Sequence, residues 1–157
     1  MVNVLSFSEV GGHGVNEDAF AVQQHPLDAD LWLCFVADGQ GGQPGGGPAA
    51  RLACETALVA ATNCPPDRLS DQRAWSGILR LADDAVARDA SAGYTTLVGL
   101  CLSQRWLVGA SNGDSAALLI CGDNAALLTE YSQFKRDYSG ATAWSADGRF
   151  FLENGLS

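Results

Sequence analysis

Three groups of carboxylates stand where this chain could use them: Asp38 in "FVADGQGG", Glu17 and Asp18 in "NEDAF", and Asp114 in "SNGDSAAL". Asp38 ends the apolar run "LWLCFVA", Leu31 to Ala37, and Gly39 follows it directly. A carboxylate held at the end of a buried strand is rigidly placed. A neighbour without Cβ leaves room for a backbone carbonyl and waters to reach the same hard cation. If the strand after "NEDAF" pairs beside the Leu31 strand, Glu17 or Asp18 comes near Asp38, and a cation between repelling carboxylates is the natural compensation. Asp114 is the third candidate, although the "NG" before it also reads simply as a hairpin turn.

The glycine-rich stretch behind Asp38 has two other readings. A phosphate cradle of P-loop type needs a lysine after the glycines, and the only lysine is Lys135. A dinucleotide fingerprint can be forced onto Gly45, Gly47 and Ala50, but it lies too far from the strand end at Ala37, and a second helix follows where a parallel strand is required. A plain flexible loop remains as the alternative to a metal frame.

The elements that must position these groups are legible from periodicity. Val2–Phe7 and Ala19–Gln23 read as strands joined by the polar bend "GGHGVNED", and Leu31–Ala37 as a strand buried on both faces. Pro48 suits a first helical residue, so a helix is predicted from Pro48 to Thr62, closed by "NCPP". Trp75, Ile78, Leu79, Ala82 and Val86 recur at helical spacing, with Ser70 as the expected N-cap. Short apolar runs follow from Thr95, Arg105, Ala116 and Ala125, separated by "SQ", "NGDS" and "GDN", breaks short enough for antiparallel hairpins. One further short strand is expected near Phe150. The order is α+β, with a strand pair, helices and a meander.

Composition narrows the function classes. A chain of 157 residues with 47% apolar content fits one folded domain. Eighteen acidic and nine basic residues give a formal charge of −9, which argues against nucleic-acid and anionic-membrane partners and is compatible with divalent-cation sites as well as with a solvated acidic surface. Cys34, Cys54, Cys64, Cys101 and Cys121 form no C-x-x-C pair, and most lie in apolar runs, so free thiols in a reducing cytoplasm are expected. No export signal and no apolar run of membrane-spanning length is present in the sequence.

Taken in order, "NEDAF", "FVADGQGGQPGGGPAARLA", "TTLVGLCL" and "LVGASNGDSAALLI" resemble the N-E-D, V-A-D-G-x-G-G, T-T-L and G-D-S blocks of the metal-dependent protein serine/threonine phosphatases of type 2C, in a bacterial-like form. The blocks span roughly residues 4–129 of a single domain, 1–157, and leave 130–157 weakly assigned. The resemblance implies an antiparallel β-sandwich flanked by helices, αββα in layers, with a two-metal site holding Mn2+ or Mg2+. It implies Asp38 as the bridging ligand, Gly39 as donor of a backbone carbonyl, Glu17 as a contact to one metal partly through water, Asp18 as support, and Asp114 at a further metal position. The implied reaction is hydrolysis of phosphoserine or phosphothreonine monoesters by a metal-bridging water. The implied partner is a phosphorylated protein, with the enzyme opposing a serine/threonine kinase.

Departures from the family pattern are equally specific. Where the family commonly has a phosphate-binding arginine, three residues before Asn16, this chain has His13, shorter and mostly neutral at pH 7. His13 is the candidate for that task, beside the reading of an exposed histidine without one. Gln40 stands where other members place methionine or histidine. The family's later S-D-G and G-D-N aspartates have no clear counterpart, since "GDN" at 122–124 reads as a hairpin turn and "SADG" at 145–148 offers Asp147 only with an inserted alanine. The expectation is a domain incomplete at its C-terminus, prone to self-association through exposed strand edges. The alternative function is a weak or inactive phosphatase-like binding or regulatory module.

Overall fold

The computed structural model describes residues 2–12, 14–104, 106–129 and 149–154, with the backbone alone described at 121 and along 149–154. Its elements are strands β1 (Asp18–His25) and β2 (Asp28–Asp38), helix α1 (Gly46–Thr62), a 3-10 turn (Pro66–Arg68), helix α2 (Gln72–Arg88), and strands β3 (Leu97–Leu102), β4 (Trp106–Asn112), β5 (Leu118–Cys121), β6 (Asn124–Leu127) and β7 (Arg149–Asn154). Among the described residues five strands make one antiparallel sheet in the order β1-β2-β3-β4-β7, and β5 and β6 pair separately. The α+β reading holds, as does the strand expected near Phe150.

Alternation along β2 decides which face the helices cover. Leu31, Leu33, Phe35 and Ala37 are buried, joined by Ala19 and Ala21 of β1 and by Leu97 and Cys101 of β3. Against them α1 sets Ala49, Ala50, Ala53, Cys54, Ala57 and Ala61, whose small side chains let the helix lie close to the sheet. The α2 stripe Trp75, Ile78, Ala82 and Val86 completes the core. Trp75 packs its ring 6.2 Å from that of Phe35, and its Nε1–H donates to the carbonyl of Leu69 at 2.7 Å, so its one polar atom is satisfied in the interior. Cys54 and Cys101 belong to this core as free thiols, pushed up to about 12 mainly by burial, and are inert packing groups. No helix among the described residues is long and apolar enough to cross a membrane.

Four local expectations are corrected. Val2–Phe7 forms no strand: residues 2–10 carry no regular structure, and Leu5 and Phe7 are exposed, because strand-prone residues need a partner edge for their backbone groups and none among the described residues is paired to them. α1 starts at Gly46 and not at Pro48, capped by Gly45 in the left-handed region (φ 92°). Asp71, and not Ser70, caps α2: its carboxylate accepts the Arg73 N–H at 2.9 Å, while the Ser70 hydroxyl donates to the carbonyl of Asp67. Finally, "NGDS" is no hairpin, since β4 pairs with β3 and β7 while β5 pairs with β6; the chain changes sheets at this turn. The breaks "SQ" and "GDN" do close hairpins, β3–β4 and β5–β6.

Candidate active site at the carboxylate end of the sheet

The register of β1 on β2 sets Asp18 directly opposite Asp38, with Ala19 opposite Ala37 behind them. Because Ala19 and Ala37 face the helices, Asp18 and Asp38 share the other face of the sheet, at its end. Both are exposed, so the pair opens to solvent. The Gly39 N–H donates to the carbonyl of Glu17 at 3.2 Å, which fixes Glu17 beside the same corner. Asp114 arrives from the β4–β5 turn and is also exposed.

Electrostatics tie these four together. The Asp38 carboxyl is held above the usual carboxylate range, first by partial burial, then by the negative charge of Asp18, that of Asp114, a hydrogen bond shared with Asp18, and the charge of Glu17. Among the described residues the ion pairs are Arg68–Asp71 and Arg88–Asp84, both elsewhere, so no basic side chain is paired with the four. Nor, among the described residues, is any group of three or more His, Cys, Asp or Glu side chains gathered to hold a metal ion. The candidates thus share one neighbourhood without forming a closed coordination shell among the described residues. An all-oxygen donor set with surplus negative charge nevertheless fits a hard divalent cation such as Mn2+ or Mg2+.

The glycine-rich loop turns out to be neither linker nor open space. A Cβ built on buried Gly39 would collide with the carbonyl of Gly46 and lie 2.6 Å from the carbonyl oxygen of Glu17, so this glycine lets β1 and the start of α1 close on each other. Built Cβ atoms at Gly41 and Gly46 would come within 3.3 Å and 2.9 Å of the two Glu17 carboxylate oxygens. The loop therefore seats the Glu17 side chain at the N-terminus of α1, a helix with no side-chain cap and no acidic residue in its first turn, where a carboxylate is favourable.

Sequence reasoning missed several residues here. Thr95 and Thr96 bind the backbone of Asp38, and Thr96 reaches the hydroxyl of Ser115 beside Asp114. Their signal was the T-T-L and G-D-S blocks, read as markers and not as parts. Arg51 was also missed: its guanidinium lies against Gly47, where a built Cβ would be 3.4 Å from Nη1 and 3.6 Å from the Cα of Glu17. His13 and Asp147 lie outside the described residues.

A profile of the family described as Protein phosphatase 2C matches residues 10–147. The chain belongs to the protein phosphatase 2C family. Solved structures with the same fold include the serine/threonine phosphatase Stp1 from Staphylococcus aureus, with a TM-score of 0.62 at 18% identity, covering 80% of this chain and 52% of that one. The Mycobacterium tuberculosis serine/threonine phosphatase PstP/Ppp gives a TM-score of 0.60 at 24% identity, over 78% of this chain and 51% of that one. The catalytic domain of PstP in complex with 2 manganese ions gives 0.68 at 18% identity, over 91% and 67%. Comparison with curated proteins returned no match. The type 2C sandwich of antiparallel sheets and helices is thus the fold of this chain, and the chain spans about half the length of the first two of these phosphatases.

Proposed function

We propose that this site serves a metal-dependent protein serine/threonine phosphatase, hydrolysing phosphoserine and phosphothreonine monoesters. The observation that carries the reading is the placement of Asp18, Glu17 and Asp114 around Asp38 at one open end of the sheet, with no basic group paired to them among the described residues. In this reading Asp38 is the central ligand and Asp18 supports it from the opposite strand. Glu17, seated by the glycine loop, holds one side of the site, and the Gly39 carbonyl and Asp114 supply further oxygen donors. Bound divalent cations would supply an acidified water for in-line attack at phosphorus and neutralise charge on the phosphoryl oxygens. The protein's own part is to keep four carboxylates together against their repulsion and to leave the end of the sheet open to a phosphorylated side chain.

The structure of PstP with manganese supports Mn2+ as the first metal to try, with Mg2+ as the alternative. A phosphorylated protein as substrate, a serine/threonine kinase as counterpart, self-association through exposed strands and a reducing cytoplasm complete the proposal; the free buried thiols fit the last of these. A second reading, a phosphatase-like binding module, rests on the carboxylates not being gathered into one metal-holding group among the described residues. Manganese-dependent hydrolysis of an aryl phosphate separates the two. Turnover that needs Mn2+ and is lost in Asp38→Asn supports the enzyme, whereas no turnover with Mn2+ or Mg2+ supports the module.

A further inference from the structure

We infer that Thr96 and Ser115 form a positioning pair that fixes Asp114 relative to Asp38; the inference rests on the metal-dependent reading above. Asp38 is the last residue of β2, and both of its backbone polar groups end on the threonines before β3. Its N–H donates to Thr96 Oγ1 at 2.9 Å, and its carbonyl accepts the Thr96 N–H and the Thr95 hydroxyl, each at 2.9 Å. The same Thr96 hydroxyl is hydrogen-bonded to the Ser115 hydroxyl at 2.5 Å, one residue from Asp114. A single side chain therefore connects the strand end carrying Asp38 to the turn carrying Asp114.

The packing around Thr96 points the same way. Gly113 adopts φ +97°, and a Cβ there would lie 2.7 Å from Thr96 Cγ2 and 2.9 Å from Thr96 Cβ, so the turn can close on this threonine only with glycine at that position. The β3–β4 ladder ends with Leu97 opposite Asn112, and β5 belongs to the other sheet. Strand pairing thus stops just before Gly113, where the contacts to Thr96 take over. They do so against a force: the negative charge of Asp114 acts on Asp38, and two like charges on a free turn would separate. The hydroxyl pair ties the turn that carries Asp114 to the strand end that carries Asp38, and preorganisation of this kind raises affinity without adding a ligand.

Mn2+ binding to the full chain, read from the electron paramagnetic resonance signal of the free ion, tests the pair independently of turnover. Thr96→Val and Ser115→Ala are each expected to weaken binding by about 10-fold, the size seen for groups that orient a ligand. The double variant is expected to be no weaker than the weaker single one, because both substitutions cut the same link. Thr96→Ser, which keeps the hydroxyl, is expected to stay within about twofold of the wild type. Thr96→Val also takes an acceptor from the Asp38 N–H, so Ser115→Ala, which spares that bond, decides the matter if the valine variant fails to fold. Wild-type affinity in Ser115→Ala, or effects that multiply in the double variant, would overturn the pair and leave the metal reading standing. A wild-type chain without saturable Mn2+ binding would overturn that reading and this inference with it.

Discussion

Replacing Gly39 by alanine puts a methyl group where backbone already lies on two sides. The new Cβ would meet the carbonyl carbon and oxygen of Gly46, at the first turn of α1, and the carbonyl oxygen of Glu17 at 2.6 Å, the same oxygen that accepts the Gly39 N–H at 3.2 Å. None of these is the end of a side chain that can rotate away. Restoring ordinary contact needs a retreat of roughly 1 Å by α1 or by the start of β1. Overpacking a filled site costs about 1–3 kcal/mol, and backbone on two sides puts this case near 3. For a chain of this size that lowers the melting temperature by about 6–12 °C, at roughly 2–4 °C per kcal/mol. The same retreat parts Glu17 from Asp38, and a displacement of that size costs on the order of 100-fold in catalysis. Gly12→Ala, where a Cβ meets nothing within 4 Å, is the control for a harmless glycine substitution. Thermal unfolding and manganese-dependent aryl phosphate hydrolysis read the two effects. Equal melting temperature and equal turnover for the Gly39 and Gly12 variants would refute the close approach of β1, loop and helix on which the site description rests.

Two further substitutions probe the molecule away from that contact. Asp83 on α2 has Oδ1 buried without a hydrogen-bond partner among the described residues, and burial, followed by the charge of Asp84, pushes its carboxyl up to about 6 from the ordinary 3.8. A carboxyl whose proton is held more tightly in the folded chain favours folding at low pH, and that advantage is lost as pH rises from about 4 through about 6. The full gap at about 1.4 kcal/mol per pH unit is roughly 3 kcal/mol, and partial exposure reduces it to about 1. Asp83→Asn is therefore expected to raise the melting temperature at pH 7 by about 2–4 °C and to flatten its pH dependence between about 4 and 6; denaturation at pH 4 and pH 7 checks both. Arg51→Ala, which removes the guanidinium beside Gly47 and Glu17, is expected to raise KM for a phosphorylated peptide by about 10-fold with kcat little changed. A fall in kcat with KM unchanged would place Arg51 outside substrate binding.

What could be read from the sequence follows from how locally each feature is encoded. β2 was legible as a strand because seven apolar residues lead without a break to Asp38, although burial on both faces is corrected, since only the face under the helices is buried and Val36 on the other is exposed; α1 was legible because alanine and leucine fill one run up to "NCPP". The opposition of Asp18 and Asp38 was legible only as a conditional, because register depends on pairing across a turn and not on either strand alone. The irregular N-terminal segment misleads for the same reason: Val2–Phe7 has the composition of a strand, but composition does not supply a partner. The crossing at Gly113 looked like a hairpin because "NG" fits one locally, whereas which sheet the next strand joins is decided far along the chain. The role of the glycines was half visible. Room around Asp38 is legible; that Gly41 and Gly46 seat the Glu17 carboxylate depends on contacts more than twenty positions apart, and that Gly39 is filled by backbone depends on Glu17 and on Gly46, which the loop folds back onto it.

The central claim is that Asp38 organises a metal-dependent phosphatase site, and its most direct test is inorganic phosphate released from a phosphothreonyl peptide in Mn2+ or in EDTA, by the wild type and by Asp38→Asn. The account predicts release that requires Mn2+ and falls in Asp38→Asn by more than the ~10–100-fold typical of a group that only supports a ligand. Release that continues in EDTA, or that survives the substitution in Mn2+, would contradict it.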